Sequence, residues 1–139
     1  MSKTRVETRA RARALQALYA WDLRGERNLE TVSSQVWDDM AIEPGERKIA
    51  ANILREIVSN GAAIDVQLAE VTVNWRLERL GAVERSVLRL GAAELRQAQT
   101  PPKVVLQEAV KLAELYGTER SARFVNGVLD ALARKLGRV

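Results

Sequence analysis

An all-α fold is what the sequence predicts, and three observations carry the prediction. Apolar residues recur at helical spacing nearly throughout, the alternation and the β-branched or aromatic enrichment of strands are scarce, and Gly, Pro and capping residues cut the periodicity into segments of helix length. The 139 residues suffice for one domain around one buried core. The expected architecture is a compact single-domain bundle of about six or seven helices over residues 1–139, without internal repeats and with a basic N-terminal arm at residues 1–13.

In the first helix Ala14, Ala17, Leu18 and Trp21 fall at i, i+3, i+4 and i+7, and the pattern ends near Leu23, before Gly25. The second carries Leu29, Val32, Val36 and Met40 on one side with Asn28 as N-cap, and Pro44 and Gly45 then break the chain. From Glu46, the run Ile49, Ala50, Ile53, Leu54, Ile57 and Val58 gives the clearest periodicity. It extends past Gly61 to Ile64 and Leu68 and marks the central core helix. Asn74 caps a short turn bearing Trp75, Leu77 and Leu80, and Gly81 separates it from a fourth helix of about sixteen residues ending before Thr100. Thr100-Pro101-Pro102 starts the fifth, because proline in a first helical turn forfeits no hydrogen bond. That helix buries Val105, Ala109, Leu112 and Tyr116 and stops at Gly117, a left-handed C-cap. Thr118 caps the last, whose core side is Val125, Val128, Leu129, Leu132 and Leu136.

Composition removes whole classes of function. With neither Cys nor His there is no disulfide framework, thiol nucleophile, Cys/His metal site or imidazole base. Asp38 and Asp39 are adjacent and point apart on a helix, and no Gly-rich phosphate loop followed by Lys-Ser or Lys-Thr occurs, so neither catalysis nor a cofactor is expected. No apolar run approaches the roughly 20 residues that cross a bilayer, and the first residues lead into charge rather than a secretory stretch. A soluble cytoplasmic protein is the expectation.

The net charge of +4 is unevenly placed. Residues 1–13 hold Lys3, Arg5, Arg9, Arg11 and Arg13 against Glu7 alone, and residues 117–139 carry a net +3, while the stretch between is −3. Basic ends on a slightly acidic middle are the footprint of a phosphate-backbone binder or of solvated tails.

Helical geometry turns the first of these ends into a stripe. At 100° per residue Arg5, Arg9, Arg13 and Gln16 align opposite Ala14 and Leu18, with Tyr19 beside them. Arg11 falls toward the core side, so the helix is expected to fray before it and leave it on a mobile arm. In the last helix Arg120, Arg123, Phe124 and Gly127 lie together, away from Val125 and Leu129. An aromatic ring between arginines suits base stacking with phosphate neutralisation; the alternative is that Phe124 widens the core stripe. Unpaired RNA is favoured over duplex because nothing has the spacing of a helix-turn-helix. Glu84 and Glu94 sit on the apolar side of the fourth helix, opposite Arg85, Arg89 and Arg96. Such acids are met by internal arginines such as Arg76 or Arg79, by the helix N-terminus for Glu84, or by a basic residue of another chain.

Four segments in order, QALYAWDL (16–23), VERSVLRLGAAEL (83–95), QEAVKLAELYG (107–117) and RFVNGVLD (123–130), resemble the NusB transcription antitermination factors over essentially the whole chain. The resemblance implies an all-helical adaptor that pairs with NusE, a protein that doubles as part of the small ribosomal subunit. The pair would bind single-stranded boxA RNA and join other Nus factors on RNA polymerase, suppressing premature termination during ribosomal RNA synthesis. Matched position by position, the basic arm, Tyr19 and the region of Phe124 correspond to the family's RNA-binding end, and Glu84 to a NusE-contacting position. The arm departs from the family in interleaving alanines between its arginines, and Arg120 rests on charge geometry alone. The competing reading is a protein-interaction module with solvated basic termini and no specific RNA binding.

Overall fold

Local start and stop chemistry accounts for most helix boundaries in the computed structural model, which describes residues 5–25, 28–72 and 76–138. Its elements are α1 (Val6–Arg24), α2 (Leu29–Met40), α3 (Pro44–Val71), a single 3-10 turn (Leu77–Arg79), α4 (Ala82–Gln97), α5 (Pro102–Tyr116) and α6 (Glu119–Lys135), with no strand among the described residues. Gly25 ends α1 at φ +74°, where a side chain would be strained. The Asn28 side chain accepts from Thr31 N at 3.1 Å, and Thr118 does the same for Ser121 N at 3.1 Å, each satisfying an otherwise unpaired helix-start amide. Prolines lead α3 and α5. No helix is long and apolar enough to cross a membrane among the described residues.

Several expectations are corrected. Helix α1 does not fray before Arg11; it begins at Val6 and carries Arg11 inward, so residues 6–13 are its first turns rather than an arm. Buried carboxylates, described below, receive that charge. Helix α3 starts at Pro44 rather than Glu46; it does continue past Gly61, with Asn60 at φ −131° and ψ 25° interrupting the helical backbone. Gly117 is not left-handed, at φ −125° and ψ −127°. It is required by space, since a Cβ there would lie 2.8 Å from Ala113 O and 2.9 Å from Ser121 Oγ. Met40, Val58 and Tyr116 are exposed despite their apolar spacing, and Trp37 takes the core position on α2. Asn74 and Trp75 lie outside the described residues.

The centre of the bundle is α4 rather than α3. It packs on α1, α3, α5 and α6 and is buried from Ser86 to Leu95 at every position but Arg89. A helix enclosed on all sides must have small residues where neighbours approach, and α4 supplies Gly91, Ala92 and Ala93. A Cβ on Gly91 would meet Leu129 Cδ1 at 2.5 Å and Cδ2 at 3.0 Å, and Leu129 is fully buried. For Gly91→Ala, overpacking costs about 1–3 kcal/mol and helix propensity returns up to about 1. A net loss on the order of 1 kcal/mol is expected in urea unfolding; a stabilised variant would show that α4 and α6 can separate freely.

Candidate nucleic-acid interface

Two polar surfaces gather the residues picked out by spacing. The first is the outer stripe of α1. Arg9 Nε and Arg13 Nε donate to opposite oxygens of the Glu46 carboxylate, each at 3.1 Å. Glu46 is the third residue of α3 and only 3% exposed. Burial pushes its carboxyl up, and hydrogen bonds from Arg9 and Arg13 outweigh that and hold it below the ordinary range. Arg13 Nη1 reaches Gln16 Oε1 at 3.3 Å, and Gln16 Nε2 donates to the Tyr116 hydroxyl at 3.1 Å. Tyr19 is 39% exposed, and Arg5 is exposed at the helix N-cap.

Arg11 does not belong to this surface. Its Nε and Nη2 donate to the two oxygens of Glu94 at 2.8 and 2.9 Å, and its Nη1 donates to Glu108 at 3.0 Å. Thr8 completes the cluster with a 2.6 Å hydrogen bond to Glu108. Burial lowers the guanidinium pKa, and Glu94 and Glu108 more than offset it, so it ends raised. The internal partner of Glu94 is therefore Arg11, not Arg76 or Arg79, and burial between two carboxylates keeps Arg11 from a phosphate. A residue on the core side of a charged helix start was misread as fraying because its two acids lie 83 and 97 residues away.

The second surface is a groove of about 600 Å3 between the 3-10 turn, the start of α4 and the start of α6, lined by Arg79, Leu80, Gly81, Glu84, Thr118, Arg120, Ser121, Arg123 and Phe124. Phe124 is partly buried: it packs on the core and also lines the groove, so it widens the core stripe without being sealed inside it. Arg120 and Arg123 are exposed and form no ion pair among the described residues. Glu84 accepts from Ser121 Oγ at 2.5 Å, and a side chain on Gly81 would collide with its carboxylate. The glycine thus leaves room for the Glu84 carboxylate, and Ser121 holds it there.

A model of the NusB family matches residues 8–134. The chain belongs to the NusB family. The transcription antitermination protein NusB of Anaeromyxobacter dehalogenans (strain 2CP-1 / ATCC BAA-258) is 43% identical over 132 residues, covering 93% of this chain and 91% of the relative. Among solved structures, NusB of T. maritima superposes with a TM-score of 0.85 at 34% identity, over 96% of this chain and 93% of that one. A structure of the antitermination factors NusB and NusE in complex with double-stranded RNA contains a chain similar at a TM-score of 0.86 and 32% identity, over 96% and 99%.

Within this NusB chain the candidate residues are held by two sets of contacts. Phe124, Arg120 and Arg123 share their groove with Glu84, whereas Arg9, Arg13 and Gln16 gather around Glu46. What joins the two is the turn from α5 to α6, because Tyr116 bonds to Gln16 while Ser121 bonds to Glu84. Sequence reasoning missed Glu46 and placed Tyr116 in the core. No spacing rule links Glu46 to arginines 33 and 37 residues away.

Proposed function

We propose that this NusB chain is a non-catalytic adaptor in cytoplasmic transcription antitermination. With NusE it binds single-stranded boxA RNA, and the complex joins other Nus factors and RNA polymerase. Arg5, Arg9 and Arg13 neutralise phosphates, Gln16 and Tyr19 line the same stripe, Phe124 stacks on a base between Arg120 and Arg123, and Glu84 meets a basic residue of NusE. The observation that supports this best is the partly buried Phe124 ring lining a groove with Arg120 and Arg123, next to Glu84. A base plane, phosphates and a cationic partner are each offered a matching group there.

The test is a gel-shift titration of a short boxA strand, a scrambled strand and a boxA duplex, each with and without NusE. The boxA strand is expected to bind tightest, and more tightly with NusE. Its log affinity should fall with log salt by roughly 0.7 per phosphate contact. Glu84→Lys should weaken NusE binding while sparing RNA binding by the chain alone. Equal affinity for boxA and scrambled strands would leave only the protein-interaction reading with solvated basic ends. Preference for the duplex would overturn the assignment of Phe124 to a base.

A further inference from the structure

The carboxylate beneath the arginine stripe is the feature the RNA reading leaves without a role. Glu46 cancels one of the two positive charges of Arg9 and Arg13, so a purely electrostatic account makes it harmful to phosphate binding. Its geometry says otherwise. The Glu46 side chain is 5% exposed, while those of Arg9 and Arg13 above it are 40% and 29% exposed. Each guanidinium is held through Nε, and Arg13 Nη1 also donates to Gln16 Oε1. Trp37 Nε1 also donates to Arg13 O at 3.0 Å, pinning the same turn of α1 against α2.

We propose that Glu46 is a positioning residue for RNA, holding Arg9 and Arg13 in a fixed pair whose exposed side chains meet phosphates at a set spacing. The inference rests on the RNA reading of the α1 stripe. An unheld arginine samples many rotamers and must give them up on binding; one already clamped by a carboxylate loses little. Helix α3 reinforces the clamp, because its N-terminal turn favours a carboxylate at the position of Glu46. Phosphate contacts carry no base information themselves, but they fix the register of the strand: a strand whose bases then reach the groove at Phe124 gains, and a scrambled strand does not. The negative charge weakens binding to every strand alike, so discrimination is gained at the expense of general affinity.

Glu46→Gln separates the two effects. Glutamine keeps the shape but puts an NH2 donor where one carboxylate oxygen stood, so one of the two Nε–H groups that face opposite oxygens loses its acceptor, and a negative charge is removed. Affinity for the boxA strand, read by fluorescence anisotropy at fixed salt, should fall on the order of tenfold, with the scrambled strand unchanged or bound more tightly. If both strands tighten together, or neither changes, Glu46 is only a charge and the positioning role is wrong. An Arg9→Ala/Arg13→Ala double variant tells which premise failed. Should it retain boxA affinity, the stripe is not an RNA surface at all; should it lose affinity while Glu46→Gln does not, only the clamp is refuted. If Glu46→Gln does not fold, the wild-type chain decides. Arginine Nε–H signals of Arg9 and Arg13 in NMR spectra should be protected from solvent exchange both free and with boxA RNA, and rapid exchange in the free protein overturns the proposal.

Discussion

Arg11→Met is expected to remove about 3–5 kcal/mol of folding stability, the cost typical of stripping one partner from a buried ion cluster. Arg11, Glu94 and Glu108 are each less than a tenth exposed, and Arg11 supplies three of the hydrogen bonds that hold the two acids. Methionine fills similar space and leaves Glu94 without that bidentate partner. The pH dependence identifies the mechanism. Burial pushes the Glu108 carboxyl up, but Thr8, Lys111 and Arg11 together hold it below its ordinary value. A carboxyl depressed in the folded state stabilises above its unfolded pKa, about 4.3, and that contribution is lost as pH falls through the lower folded value. The gap between wild type and Arg11→Met should therefore be widest near neutrality and narrow on acidification. Chemical denaturation at several pH values measures it, and a gap independent of pH would assign the loss to packing instead. Replacing the cluster together, with Glu94→Gln and Glu108→Gln added to Arg11→Met, should recover part of the stability, because no charge is then left buried alone.

This cluster also marks where sequence reasoning stops. Asn28, Thr118 and Pro102 announce helix starts through interactions that span a few residues, and the core faces of α5 and α6 follow from periodicity within one helix. Those features are local and were legible. The role of Arg11 depends on α4 and α5 both lying against α1, and the role of Glu46 on the start of α3 lying under it. A charge on an apolar stripe says only that a partner is needed; the packing of other helices selects which. The same limit explains Tyr116. Its spacing matches Val105 and Leu112, but it is the last residue of α5, and its ring is 40% exposed with the hydroxyl bonded to Gln16. Of the candidate interface, the grouping of Arg9, Arg13 and Gln16 along α1 and of Arg120, Arg123 and Phe124 on α6 was legible from helical geometry, whereas what each group packs against was not. It depends on how α1, α4 and α6 are placed around one turn.

Asp22→Asn should cost on the order of 2–4 kcal/mol, less than a fully buried pair because the arginines it leaves keep other acceptors. Arg85 binds the Asp22 carboxylate at both oxygens, 2.8 and 2.5 Å from Nε and Nη2, and Arg89 adds a 3.1 Å contact from Nη1. Arg89 retains Asp65 at 3.0 and 3.1 Å and lies 5.5 Å from the Trp21 ring centre. Arg85 retains the carbonyls of Leu77 and Leu80 at 3.2 and 2.6 Å. Hydrogen bonds from Arg85 are the first cause that holds the Asp22 carboxyl below its usual range. The sign follows as for Glu108: this stability is present above about pH 3.9, the unfolded value, and lost as pH falls below it. Wild-type unfolding followed by circular dichroism should therefore weaken in that acid window, and the Asp22→Asn chain should lack that part of the decline. An identical acid profile for both would sink the assignment. The variant also reaches function without touching the interface. Arg85 ties the end of α1 to the turn at Leu77 and Leu80, and Leu80 and Gly81 form one wall of the groove that holds Glu84 and Phe124. In the folded variant that wall keeps Arg85 but loses its tie to α1, and on the proposed role of Glu84 NusE binding should weaken.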